Sequence, residues 1–236
     1  DDAQLDDSIL LIMKERALVG LEVSVVEDSN MVYSNVFGTL NSASKRHLTA
    51  DTLFQGASLS KPVFAYAILK LVETGPFNLD VPLSQYWSES YCDDPRVAKI
   101  TARHVLSHTT GFPNWREEDE GGEGKLRIHA DPSTTFGYSG EGFQYLQNVL
   151  EYLTHRPLYD YIKSTLLLPL GMRHSTFTWA HTGTEPITDE DGNIVSEGEK
   201  LMSGAAFSLL TTATDYAQFM LAMLNPVEND PIRLNQ

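Results

Sequence analysis

Apolar residues recur at near-helical spacing through SILLIMKERALVG, at Ile9, Leu10, Ile12, Met13, Ala17 and Leu18, and the run stops at Gly20. This predicts a first helix. Two short β-branched and aromatic runs follow, LEVSVVE and MVYSNVFG, parted by the turn-forming DSN, which predicts an antiparallel hairpin. After a polar stretch over 39–53 the run GASLSKPVFAYAILKLVETG predicts a mostly apolar helix from about Ser58 to Thr74, ended by Gly75 and Pro76. Further helices are expected at 101–108, 140–155, 158–167 and 213–224, with Gly, Pro and acidic residues between them. Two strands are too few for a sheet, so the pattern predicts an α+β chain whose sheet is only begun. The expected organisation is an N-terminal helix, hairpin and apolar helix over 1–75, a mainly helical subdomain over 76–212, and a returning helix within 213–236.

Composition narrows the partners. With 17 Lys and Arg against 32 Asp and Glu the formal charge is -15, which works against nucleic acid and anionic membrane, since both are bound by clustered cations. A neutral small-molecule or peptide substrate fits better. The single Cys92 excludes an intramolecular disulfide and a multi-cysteine zinc site, and leaves the compartment open. No run of about 18 apolar residues predicts a transmembrane helix. The start DDAQLDD has neither a basic n-region nor an initiator Met and reads as processed or trimmed.

The candidate chemistry lies at the mouth of the apolar helix. Ser58 and Lys61 are three apart, so one helical face brings them together. Backbone N–H groups at a helix start lack intrahelical partners, so the N–H of Ser58 can help hold a developing oxyanion, and Lys61 can accept or relay the serine proton. S-x-x-K alone is a weak signal. Ser42-Ala43-Ser44-Lys45 has the same spacing in a polar stretch and reads as a solvated loop, while the plain alternative for Ser58 is a helix N-cap beside a surface lysine. His104 and His108 have a zinc-compatible spacing, but no Glu stands at the H-E-x-x-H place and no third ligand is suggested. Gly56-Ala57-Ser58-Leu59-Ser60 lacks the second glycine of a nucleophile elbow. The acidic run over 117–125 reads as a solvated loop, and Trp87, Trp115 and Trp179 either line a pocket or pack in a core.

FQGASLSKPVFAYAILKLVETGPFNLDVPLSQYW and KITARHVLSHTTGFPNW, with FGYSGEGFQYLQNVLEYL, LLLPLGMRHSTF and AAFSLLTTATDYAQFM, resemble the serine β-lactamase and penicillin-binding-protein-like superfamily. The branch resembled holds class C β-lactamases, D-alanyl-D-alanine carboxypeptidases and family VIII esterases, and the likeness covers most of residues 20–224. It implies a β-lactamase/transpeptidase-like α+β fold and a serine hydrolase with no cofactor, forming an acyl-enzyme on Ser58 with Lys61 and Tyr138 moving the proton. The competing expectation is a penicillin-recognising sensor or inactive binding module of the same fold. Tyr138 also fits on chemistry, because a phenol beside an ammonium becomes a usable base. The family's second motif commonly reads Y-x-N. Here the third, substrate-binding place is Gly140, a change that esterase or peptidase activity tolerates better than β-lactam hydrolysis. The resemblance places His108 in a structural turn. It also implies a third motif, K-T-G or H-x-G on a strand after the 213–224 helix, with a second oxyanion donor. His181-Thr182-Gly183 spells that motif but precedes the helix and reads as loop. The final strands are therefore expected from a missing C-terminal part of the same polypeptide or from a separate remainder.

Overall fold

The computed structural model describes residues 2–40, 46–75, 77–116, 126–178, 203–227, 230 and 232–235. Two compact units emerge, one from residues 1–56, 166–202 and 210–236 and the other from 57–165 and 203–209. The Ser42–Lys45 copy of S-x-x-K, the acidic run, Trp179 and His181-Thr182-Gly183 lie outside the described residues.

In the first unit helix α1 (Asp2–Arg16) packs Ile9 and Met13 against Tyr33 and Phe37 of strand β2 (Asn30–Gly38), joined by Leu21 and Val23 of strand β1 (Gly20–Glu27). Residues four apart share a helix face, so Ile9 and Met13 turn inward together while Leu10, Leu11 and Ile12 stay 50–57% exposed. The expected hairpin forms in antiparallel register from Gly20 opposite Gly38 to Glu27 opposite Asn30, with one irregularity between Val25 and Val26. Its turn residues Asp28 and Ser29 both adopt left-handed backbone (φ 46° and 64°), as a tight hairpin turn requires. At Gly38 (φ 82°) a Cβ would lie 2.0 Å from the Val19 carbonyl oxygen, so only glycine fits.

Helix α7 (Ala213–Leu224) packs against β1 and β2, and the Ser34 and Thr214 hydroxyls meet at 3.0 Å. Thr212 caps it, its Oγ1 accepting from the Asp215 N–H at 3.0 Å. The Asp215 side chain is buried and its Oδ2 accepts from the His174 N–H, the Ser175 N–H and the Ser175 hydroxyl, each at 2.8 Å. A second two-stranded sheet joins β3 (Phe54–Ala57) to β4 (Leu209–Thr211), and Thr176 forms an antiparallel bridge with Leu210.

The second unit is built on helix α2 (Ser60–Thr74) and helix α5 (Gly140–Thr154). Val63, Phe64, Ala67 and Ile68 of α2 and Phe143, Leu146, Val149 and Leu150 of α5 are all buried, and the Phe64 and Phe143 rings meet with centroids 6.0 Å apart. Each large side chain removed from water in this way contributes roughly 1.5–3 kcal/mol. Helices α3 (Leu83–Tyr86), α4 (Ala102–Leu106) and α6 (Leu158–Ile162) add Leu83, Val105, Leu158 and Ile162 to the interior. Helix α4 is shorter than the 101–108 periodicity predicts. A capping box fixes its start, with Thr101 Oγ1 accepting from the His104 N–H and His104 Nδ1 accepting from the Thr101 N–H. His108, two residues past its end, turns into left-handed backbone (φ 55°). His104 is thereby committed to the cap, and among the described residues no group of three or more His, Cys, Asp or Glu could hold a metal.

Asp215→Ala removes one acceptor from three donors in a buried place. The substitution is expected to lower stability by about 2–4 kcal/mol, read as a lower denaturant midpoint with an unchanged slope.

Candidate active site

Helix α2 starts at Ser60, two residues later than its apolar pattern predicts, and no side-chain hydrogen bond caps it. Ser58 is therefore not the N-cap. It stands exposed ahead of the helix, after Ala57, a non-glycine residue in left-handed backbone (φ 42°). Ser60 fixes this turn. Its hydroxyl is fully buried, donates to the Ala57 carbonyl at 2.5 Å and accepts from the Leu209 N–H at 2.9 Å. The serine that breaks the elbow pattern thus anchors the segment holding Ser58. The Lys61 N–H donates to the Ser58 carbonyl at 3.1 Å, keeping the two residues in one turn.

Three of the sequence-predicted side chains converge. The Tyr138 hydroxyl donates to Ser58 Oγ at 2.8 Å, and Lys61 Nζ donates to the same oxygen at 3.2 Å. Lys61 is buried, with Nζ 4.6 Å from the centroid of the Tyr138 ring and 2.9 Å from the Ala206 carbonyl oxygen. That carbonyl comes from the 203–209 segment, which Gln147 of α5 holds by donating to the Ser203 carbonyl at 2.9 Å and accepting from the Ala205 N–H at 2.8 Å. Burial raises the pKa of Tyr138, but the hydrogen bonds with Lys61 and Ser58 and the Lys61 charge outweigh it and bring the phenol below its ordinary value. A phenol so placed can exchange a proton with Ser58 Oγ.

Tyr138 precedes α5 as Ser58 precedes α2. Ser139 caps α5, its Oγ accepting from the Gly142 N–H at 3.0 Å and donating to the Pro113 carbonyl at 2.7 Å. His108 braces the phenol. Its ring stacks on Tyr138 with centroids 4.5 Å apart and planes at 26°, and its Nδ1 accepts from the Ser139 N–H at 3.1 Å. Burial first, and the Lys61 charge second, hold the imidazole below its ordinary pKa, in keeping with a neutral ring that accepts at Nδ1. In the first turn of α5 the buried Glu141 accepts from Arg116 Nε at 3.0 Å, Arg116 Nη2 at 2.7 Å and the Tyr91 hydroxyl at 2.7 Å. Burial opposes the Glu141 charge, yet these donors win and its carboxyl stays below the usual range.

Gly140 presents no side chain, and its N–H is taken by the Asn114 carbonyl and Asn114 Oδ1, each at 3.0 Å. The Trp115 ring covers it so closely that a Cβ at Gly140 would lie 2.4 Å from the ring. Trp115 also meets Phe207 edge to face, with centroids 5.6 Å apart. Sequence reasoning missed Ser60, Gln147, the Ala206 carbonyl and the Arg116–Glu141 pair. Only Gln147, a polar residue on the apolar face of α5, left a signal to find.

Residues 5–236 match the family model described as Beta-lactamase. The chain belongs to the beta-lactamase family. This family member is 30% identical over 219 residues to esterase EstB from Burkholderia gladioli, a match covering 80% of this chain and 55% of EstB. It is 26% identical over 187 residues to penicillin-binding protein 4 from Amycolatopsis lactamdurans, covering 74% of this chain and 49% of that protein. The solved octameric penicillin-binding protein homologue from Pyrococcus abyssi matches with a TM-score of 0.78 at 25% identity, covering 99% of this chain and 58% of that one. The beta-lactamase-family chain spans about half the length of the curated relatives it matches. Its fold is β-lactamase/transpeptidase-like, of the α+β class.

In this family member an ultraviolet difference titration, wild type minus Tyr138→Phe, is expected to show Tyr138 ionising below the phenol value of about 10. Lys61→Met should move that midpoint upward, because it removes the charge that favours the phenolate. Arg116→Ala leaves the Glu141 carboxylate buried with fewer donors. About a third of the Arg116 side chain is exposed, so the expected cost is reduced to about 2 kcal/mol. A depressed carboxylate pKa gives stability that is present above the unfolded value and lost as pH falls through the folded one. The gap between wild type and Arg116→Ala should therefore shrink in acid, as followed by thermal unfolding across pH.

Proposed function

We propose that the chain carries the nucleophile of a serine hydrolase that acylates Ser58 with an ester or amide substrate and then hydrolyses the acyl-enzyme. The observation that supports it most is a single hydroxyl, Ser58 Oγ, bonded at once by a phenol at 2.8 Å and an ammonium at 3.2 Å. The Tyr138 phenolate accepts the Ser58 proton as Oγ bonds to the substrate carbonyl carbon, and the Lys61 ammonium steadies the negative charge passed between them. Collapse of the tetrahedral adduct breaks the bond to the leaving group, and Tyr138 returns the proton to it. Water then attacks the acyl carbon with Tyr138 as base, and Ser58 recovers its hydrogen. The Ser58 N–H supplies one oxyanion donor.

Ester hydrolysis is favoured over β-lactam hydrolysis. Gly140 offers no amide at the third position of the second motif, and the EstB relative is named an esterase.

Incubation of the full-length protein with an activated aryl ester tests the reading. Turnover is expected in the wild type, and Ser58→Ala should reduce kcat by about 10³-fold or more. A stable mass adduct on Ser58 without turnover would favour the sensor alternative, and full activity in Ser58→Ala would sink the assignment to this serine.

A further inference from the structure

We propose that Trp115 is a specificity-determining residue of the Ser58 site, selecting esters whose acyl group is apolar and carries no hydrogen-bonding amide. This rests on the serine-hydrolase reading and adds the substrate class to it.

A Cβ at Gly140 would lie 2.4 Å from Cη2 of Trp115 and 2.7 Å from its Cζ2 and Cζ3, so the indole and any side chain at position 140 cannot both occupy that space. The backbone there has little room to yield. The Gly140 N–H is bound by the carbonyl and Oδ1 of Asn114, the residue next to Trp115. The indole also meets Phe207 at 80° between planes, and Phe207 is seated so tightly on Gly204 that a Cβ there would lie 2.5 Å from the phenyl ring.

Both supports adjoin the catalytic cluster in the chain. Gly140 stands two residues after Tyr138, and Phe207 directly follows Ala206, whose carbonyl binds Lys61. An indole in contact with both supports gives the site an apolar, aromatic wall, with no side-chain amide at position 140. Apolar acyl chains gain from such a wall, whereas an amide pressed against it leaves its hydrogen bonds unmade.

The test compares p-nitrophenyl hexanoate, acetate and N-acetylglycinate on the full-length protein, which holds the leaving group constant. The wild type is expected to prefer hexanoate to acetate in kcat/KM by about tenfold or more, and Trp115→Ala to reduce that ratio to about twofold. Gly140→Ala retains the indole but must displace it, and should lower the ratio in the same direction. It also carries the test if Trp115→Ala fails to fold. Trp115→Ala combined with Gly140→Asn should raise the N-acetylglycinate to hexanoate ratio about tenfold. Equilibrium binding of the same esters to Ser58→Ala needs no turnover, so it separates this proposal from the hydrolase reading: hexanoate should bind about tenfold more tightly than acetate, and Ser58→Ala/Trp115→Ala should lose the difference. A hexanoate preference that persists in folded Trp115→Ala and Gly140→Ala proteins overturns the proposal.

Discussion

The second unit turns on one hydrogen bond, from the buried Lys61 ammonium to the Ala206 carbonyl. An ammonium away from water needs acceptors to be tolerable, and the oxygens that meet this demand belong to separate parts of the chain. Ser58 lies on the approach to α2, and Ala206 on the segment that Gln147 of α5 holds in place. The same nitrogen faces the Tyr138 ring from the approach to α5. Once the ammonium is seated, the hydroxyl and the phenol that share it cannot drift apart without stranding a charge. The low exposure that makes Lys61 costly to bury is also what gives its charge leverage on the phenol.

The two candidate proton carriers sit in equivalent local settings, each just before a long helix packed in the same core. The phenol is held by layers of support: Ser139 caps α5 beneath it, His108 stacks against its face, and Glu141 with Arg116 locks the first turn of α5. The serine relies on the Ser60 hydroxyl and on the unusual backbone of Ala57. Rigid scaffolding of this kind is what a preorganised site requires, since hydrogen-bond partners that must first rearrange contribute less to a transition state.

Much of this was legible in the sequence where the signal is periodic or local. The α2 apolar run, the hairpin with its DSN turn, and the α5 and α7 stripes follow from spacing alone, and Ser58 with Lys61 follows from a three-residue interval. The meeting of Tyr138 with that pair spans 80 residues, and no periodicity carries it; resemblance supplied it. What stayed hidden depends on backbone or on packing. Ser60 looked like a broken motif because a buried hydroxyl reads in sequence like a surface one, and the Ala206 carbonyl belongs to no side chain at all. His108 looked structural, and its stacking on Tyr138 needed coordinates to see. Helix α1 forms as its spacing predicts, but one helix face buries only Ile9 and Met13 of the apolar run, and Leu10, Leu11 and Ile12 stay exposed.

Ala57 carries a further implication. A methyl group in left-handed backbone costs roughly 1 kcal/mol that glycine would not incur, yet glycine would also let the preceding peptide swing through many more orientations. The methyl therefore acts as a mechanical detent: the chain tolerates a small, permanent discomfort one residue before the proposed nucleophile, and in return the hydroxyl has few other directions in which to point.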